Sequence, residues 1–290
     1  MKKTIENIFA RPASPGMVGD GFRVYQYFPG ARSFFPQKIS PFLMLDFNAE
    51  IDFSPSDKVR GVGVHPHKGF ETVTIAYKGS VAHADSTGNS GVIHPGDVQW
   101  MTAGSGILHK EHHEEAFSKK GGPFEMVQLW VNLPKKFKQT PAKYQAITDG
   151  DMGRAELAGN GGHVRVIAGD FNGVKGPAFT FTPINMFDIR LNKSGNLTTS
   201  IPASHNTAIL VVNGDVEVNG LHAPEHSFVL FRNEGEEVAI KANENSVLLL
   251  LSGEPIKEPV ASYGPFVMNT QEELLEAIQE FNTGKFGTLE

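Results

Sequence analysis

Seven of the 11 histidines in this chain fall between residues 65 and 113: His65, His67, His83, His94, His109, His112 and His113. An even spread over 290 residues would put about two there. Alternate side chains of an extended strand share a face. His65 and His67 are therefore neighbours on one face, and Gly69, Glu71, Val73 and Ile75 are expected to continue it inward. His109 and Glu111 repeat the same spacing. Two such pairs on adjacent strands of a small barrel can converge on one ion. Imidazole and carboxylate donors without thiolate suit Fe(II), Mn, Co, Ni, Cu or Zn. Three histidines with one carboxylate leave coordination positions open for a substrate or dioxygen. Spacing alone does not choose between Glu71 and Glu111 as the carboxylate.

Composition narrows the chemistry further. The chain has no cysteine, which excludes disulfides, thiolate zinc sites, Fe–S clusters and a cysteine nucleophile. Its formal charge is −6, so no positive field gathers nucleic acid, and direct nucleic-acid binding is not expected. The longest strongly apolar run, Val247 to Leu251, is far too short to span a bilayer. Glu6, Asn7, Arg11 and Pro12 interrupt the apolar run that a signal peptide needs. The expectation is a soluble, cytoplasmic protein without a membrane partner.

The elements that must carry the histidines read as strands. Glycine (31) and proline (18) are abundant, which favours turns over long helices. Apolar runs such as Val73–Tyr77, Val127–Val131 and Ile209–Val212 end in Lys-Gly, Asn-Leu-Pro and Asn-Gly. Asn213-Gly214 and Asn219-Gly220 are hairpin signals, because a type I′ turn needs positive φ at both central residues. One helix is expected near the end. Thr270 and Glu273 read as a capping box, Leu274, Leu275, Ile278 and Phe281 as its apolar face, and Gly284 as its stop. The segment Pro134 to Pro141 is polar and proline-bracketed, which suggests units at 1–134 and 141–290 with similar strand–turn grammar. Phe34, Phe35, Phe42, Phe47 and Phe53 precede the ligands and read as barrel core before they read as a flat apolar pocket.

The intervening sequence resembles one family. His65-Pro66-His67-Lys68-Gly69-Phe70-Glu71-Thr72-Val73-Thr74 is similar to the first cupin motif of pirins. Asp85-Ser86-Thr87-Gly88-Asn89 and the run Gly96 to Glu111 resemble the pirin version of the second. The tail agrees, with Gly264-Pro265-Phe266-Val267-Met268-Asn269-Thr270 before the helix and Gly284-Lys285-Phe286-Gly287 after it.

The resemblance implies an all-β bicupin: two tandem jelly-roll-type β-barrels with a short C-terminal helix. It implies one divalent metal in the first barrel, Fe(II) as first choice, held by His65, His67, His109 and Glu111, with Glu71 structural. The second barrel has no His-x-His, only His205 near the equivalent strand, and is assigned no metal. Where many pirins continue with Met-Pro, this chain has His112-His113-Glu114-Glu115, read as a solvated turn rather than a further ligand. The implied activity is that of a quercetin 2,3-dioxygenase, opening a flavonol ring with O2 and releasing CO. Glu111 would then act both as ligand and as proton acceptor. The alternative is a non-enzymatic metal or redox sensor acting through protein partners, with Lys119, Lys120, Lys135, Lys136 and Lys138 as a partner-facing patch. A bicupin pairs its barrels within one chain, so a monomer is expected.

Overall fold

A computed structural model describes residues 1–29 and 35–290, with Phe35 and Pro36 as backbone only. Phe34 and the Phe35 side chain lie outside the described residues. Apart from the short helices Phe35–Ile39, Glu115–Lys120 and Gln271–Asn282, the regular structure is mainly antiparallel strand. Among the described residues, no helix is long and apolar enough to cross a membrane.

The chain forms two compact units, and neither is contiguous in sequence. One comprises 14–31, 42–149 and 256–290; the other comprises 1–13, 32–41 and 150–255. The sequence expectation drew them as 1–134 and 141–290; the central crossing instead falls at 149/150, the segment 32–41 belongs to the other unit, and the two ends are exchanged. Strand Ile5–Phe9 pairs with Phe228–Phe231. The C-terminal helix buries Leu274 and Ala277 with Phe266 and Phe286 against Leu108. Pairing and burial thus assign each terminus to the unit that is remote in sequence.

In the histidine-bearing unit, a seven-stranded sheet runs in the order Lys143–Ile147, Val98–Thr102, Phe70–Lys78, Gly122–Asn132, Phe42–Phe53, Phe22–Phe28, Gly16–Val18. A four-stranded sheet runs Gly61–His67, Ile107–His113, Val81–Asp85, Ser90–Ile93. The second unit repeats the plan, also with seven and four strands. There the strands matching Gly61–His67 and Ile107–His113 in sheet order are Asn196–Ser200 and Glu237–Ala242. They turn Leu197, Val238, Ile240 and Ala242 into a hydrocarbon core with Ile209, Val229 and Leu250. His205 instead bonds Ser252 Oγ, at 2.9 Å.

Asn219 and Gly220 both have positive φ, 50° and 86°, and join Val216–Val218 to Leu221–Ala223 as the type I′ turn requires. The other Asn-Gly forms no hairpin. After Gly214, strand Val216–Val218 pairs with Leu221–Ala223 and Glu237–Ala242, so the chain passes from the large sheet to the small one. The C-terminal capping box forms as expected, with Thr270 and Glu273 satisfying each other's backbone N–H. Leu275, however, is 68% exposed. It lies about 100° around the helix from Leu274, off the buried stripe.

Candidate metal centre

Strand pairing brings the histidines together. Ile107–His113 runs antiparallel to Gly61–His67, with His109 opposite His65 and Ile107 opposite His67. On its other edge it pairs with Val81–Asp85, which sets Glu111 opposite His83. The register slips between His109 and Glu111, because residues 62–65 hold one more residue than the partner strand needs.

Ligand atoms of His65, His67 and His109 all lie within 4.8 Å of one another. His65 Nδ1 donates to Gly63 O at 2.8 Å, which turns its Nε2 to within 2.9 Å of His67 Nε2. Two nitrogens each about 2.1 Å from one ion and at right angles would stand about 3.0 Å apart. His67 is held edge-on by Phe70 and Trp130, with ring centroids at 5.2 and 5.7 Å. His109 is fully buried, and neither ring nitrogen has a hydrogen-bond partner. An unsatisfied buried polar atom costs about 1–3 kcal/mol. A metal ion would satisfy it, so the residues present fit a metal.

Charge state agrees. Burial holds the His109 pKa down to about 4, and burial followed by the neighbouring His65 and His109 pushes His67 well below the usual imidazole range. Both rings are neutral near pH 7, with lone pairs available for coordination.

Glu111 is 4% exposed and stands beside this trio, its Oε2 4.0 Å from His109 Nδ1. Gln128 Nε2 donates to both of its oxygens, at 3.1 and 2.9 Å, and Thr74 Oγ1 donates at 3.3 Å. Those two belong to a polar row of registered partners, Asp46–Gln128–Thr74–Gln99, on four neighbouring strands of the large sheet. A narrow cleft of about 10 Å³ opens beside Glu111, lined by Asp46, Asn48, Gln128, Met126 and Phe22 among others. Asp46 Oδ1 and both amide atoms of Asn48 are buried without a partner. Burial pushes the Asp46 carboxyl up to about 6.

The remaining candidates sort differently. Glu71 was expected on the same face as His65 and His67. The strand instead breaks at Lys68-Gly69, where Gly69 has φ +86°, and restarts at Phe70. Thr74 then faces Glu111, and Glu71, three residues away, takes the opposite face and accepts from Thr102 Oγ1 at 2.7 Å. His113 is neither ligand nor solvated turn. It is fully buried against Phe53 and Phe124, at 4.5 and 4.7 Å, and donates from Nε2 to Gly21 O at 2.8 Å. Glu114 caps helix Glu115–Lys120 by accepting from Ala116 and Phe117 N–H. His83 bonds the Tyr144 hydroxyl at 2.8 Å, with its ring 6.0 Å from that of His109. Sequence reading did not single out Gln128, Thr74 or Tyr144. The signal available for Gln128 was a lone amide within the apolar run Met126–Val131.

Comparison with known proteins follows the same lines. The family model described as Pirin matches residues 21–131, and that described as Pirin C-terminal cupin domain matches 186–287. A crystal structure of a quercetin 2,3-dioxygenase from Acinetobacter baumannii is 47% identical, with a TM-score of 0.95 over 100% of both chains. The Pseudomonas aeruginosa protein named "Putative quercetin 2,3-dioxygenase PA2418" is 47% identical over 269 residues, 93% of each chain. Pirin of Mus musculus is 36% identical over 259 residues, 87% of this chain and 84% of that one. Two cupin units, with three histidines converging in the first, belong with these matches: the chain is a member of the pirin family.

Proposed function

We propose that this protein is a mononuclear metal-dependent dioxygenase of the quercetin 2,3-dioxygenase type. Its metal would be held by His65, His67, His109 and Glu111. The observation that carries this reading is the histidine trio, with His67 and His109 buried and the nitrogens of His109 partnerless, beside a carboxylate oriented by Gln128 and Thr74. The names of the 47% identical relatives support the reaction class. Fe(II) is our choice among the metals that imidazole–carboxylate sites accept. When bound, the metal supplies a positive charge that acidifies a coordinated hydroxyl and an open position for O2.

The chain's own residues do the rest. Glu111, through the carboxylate oxygens that Gln128 orients, takes the proton from an incoming enol or phenol hydroxyl. Asp46 and Asn48 offer partnerless acceptor and donor atoms to a polar ring substituent. The cleft beside Glu111, at about 10 Å³, has room for about one water and none for an aromatic ring, so a flavonol would bind only once lining side chains such as Met126 and Phe22 shift. In the overall reaction both atoms of O2 enter the opened product and one ring carbon leaves as CO.

The test is anaerobic reloading of metal-free protein with each divalent metal, with metal content by elemental analysis, followed by quercetin absorbance, oxygen uptake and CO release. Turnover with stoichiometric metal is expected. Stoichiometric metal without turnover under any of the metals would sink the dioxygenase reading. The alternative of a partner-binding sensor loses Lys138 from its expected surface, while Lys119, Lys120, Lys135 and Lys136 stay exposed. Lys138 is buried on three acceptors, Lys135 pairs with Glu273 at 3.2 Å, and Lys119 pairs with Glu115 at 2.6 Å.

A further inference from the structure

Two lysines of the histidine-bearing unit are buried and fully engaged, and both sit at the turn that leaves His67. Lys68, 2% exposed, donates from Nζ to Ser105 O at 2.6 Å and Gln139 Oε1 at 3.1 Å, and pairs with Glu280 Oε2 at 2.9 Å. Lys138, also 2% exposed, donates to Gly69 O at 2.7 Å, Asn132 Oδ1 at 2.7 Å and Val267 O at 2.9 Å. Four of their six partners come from three places: Gly69 in the turn after His67, Ser105 in the turn before His109, and Val267 and Glu280 in the C-terminal segment; Asn132 and Gln139 supply the other two.

The C-terminal segment makes backbone and apolar contacts at the same points. Lys68 N–H donates to Pro265 O at 3.2 Å, and Val267 N–H donates back to Lys68 O at 3.0 Å. Gly69 N–H reaches Gly104 O at 2.8 Å, which ties the two turns to each other. Phe286 packs over Gly106, where an added Cβ would stand 2.2 Å from its ring. The Ser86 hydroxyl donates to Phe286 O and accepts from Leu108 N–H at 3.0 Å, one residue before His109. Leu108 packs with Phe266, Leu274 and Phe286. A brace of general purpose could grip any strand of the sheet. These contacts gather on the residues that flank His67 and His109.

We propose that residues 264–290 act as a clip that positions His67 and His109, with Lys68 and Glu280 as positioning residues, so that metal binding and docking of this segment stabilise each other. This inference rests on the metal-centre reading above. Linkage makes the coupling reciprocal: what loosens the clip weakens the metal, and the metal tightens the clip by the same factor.

The experiment uses the full chain and Co(II) as the probe. Co(II) affinity is measured by competition with a chromophoric chelator, together with the visible absorption of the bound ion. Amide hydrogen exchange over residues 264–290 is followed with and without Co(II). In wild type, Co(II) should slow exchange across helix Gln271–Asn282 by about fivefold or more, the lower end of common couplings. Glu280→Gln, at a side chain 29% exposed, should weaken Co(II) by about tenfold and alter its absorption, with unchanged circular dichroism of the metal-free protein. Lys68→Met should do the same. If that variant does not fold, the wild-type exchange comparison decides without it. Unchanged exchange in Co(II)-bound wild type, or wild-type affinity in Glu280→Gln, overturns the clip. Failure of wild type to bind Co(II) at all overturns the metal centre itself, which is a separate result.

Discussion

Gln128→Leu tests whether the carboxylate beside the histidines belongs to the metal centre. Leucine keeps the approximate volume of the side chain and removes the one amide that donates to both Glu111 oxygens, at 3.1 and 2.9 Å. Thr74 Oγ1, at 3.3 Å, would be left as the remaining donor described here. Hydrogen bonds to charged groups contribute about 1.5–3 kcal/mol each. Partners that orient a ligand typically change metal affinity 10–100-fold. At free metal 100-fold above the wild-type Kd, binding stabilises the fold by about 2.7 kcal/mol, and after a tenfold loss of affinity by about 1.4 kcal/mol. A large domain shifts its Tm by roughly 2–4 °C per kcal/mol, so the metal-induced rise should shrink by roughly 3–5 °C.

The assay is a pair of thermal melts for each protein, metal-free and metal-loaded at one fixed free-metal concentration. Each protein serves as its own reference. The variant's metal-free melt falls on its own account, since an acceptor on 4%-exposed Glu111 loses its donor; only the metal-induced increment bears on the question. Equal increments in the two proteins would refute the reasoning and remove Glu111 from the proposed ligand set.

Three further substitutions separate structure from site. His113→Leu should cost about 1–3 kcal/mol in denaturant unfolding through the lost bond to Gly21 O, with metal affinity unchanged. Glu71→Gln should show a pH signature. Burial raises the folded pKa from 4.5 to about 7, so the folded protein keeps a proton that the unfolded chain loses between these values, and wild-type stability falls as pH rises across that window. The variant should therefore exceed wild type by on the order of 3 kcal/mol above pH 7, with the gap closing below about pH 4.5, and parallel urea titrations at pH 4 and 8 check it. Gly106→Ala places a Cβ 2.2 Å from Phe286 at φ +120°, so it should cost about 1–3 kcal/mol and hasten proteolysis after residue 282.

What could be read from the sequence follows from how far each inference had to reach along the chain. His65 and His67 share a face because alternation holds within one unbroken strand, and His109 joins them because Ile107–His113 pairs directly with theirs. Alternation failed for Glu71 because counting does not survive a turn: at Gly69, with φ +86°, the face resets. For His113 the face was right and the distance was missing. Four residues at about 3.3 Å each set it roughly 13 Å along the strand from His109, among phenylalanines. Gln128 reaches Glu111 only through the order of non-consecutive strands, which periodicity does not encode. The capping box announced the last helix, yet nothing local says which barrel it grips; that depends on Lys68, Leu108 and Phe286, up to about two hundred residues apart in sequence. Local rules thus find donors and caps. The partners that orient a ligand come from whichever strand folding sets beside it, and those are the positions where substitution should separate metal affinity from fold.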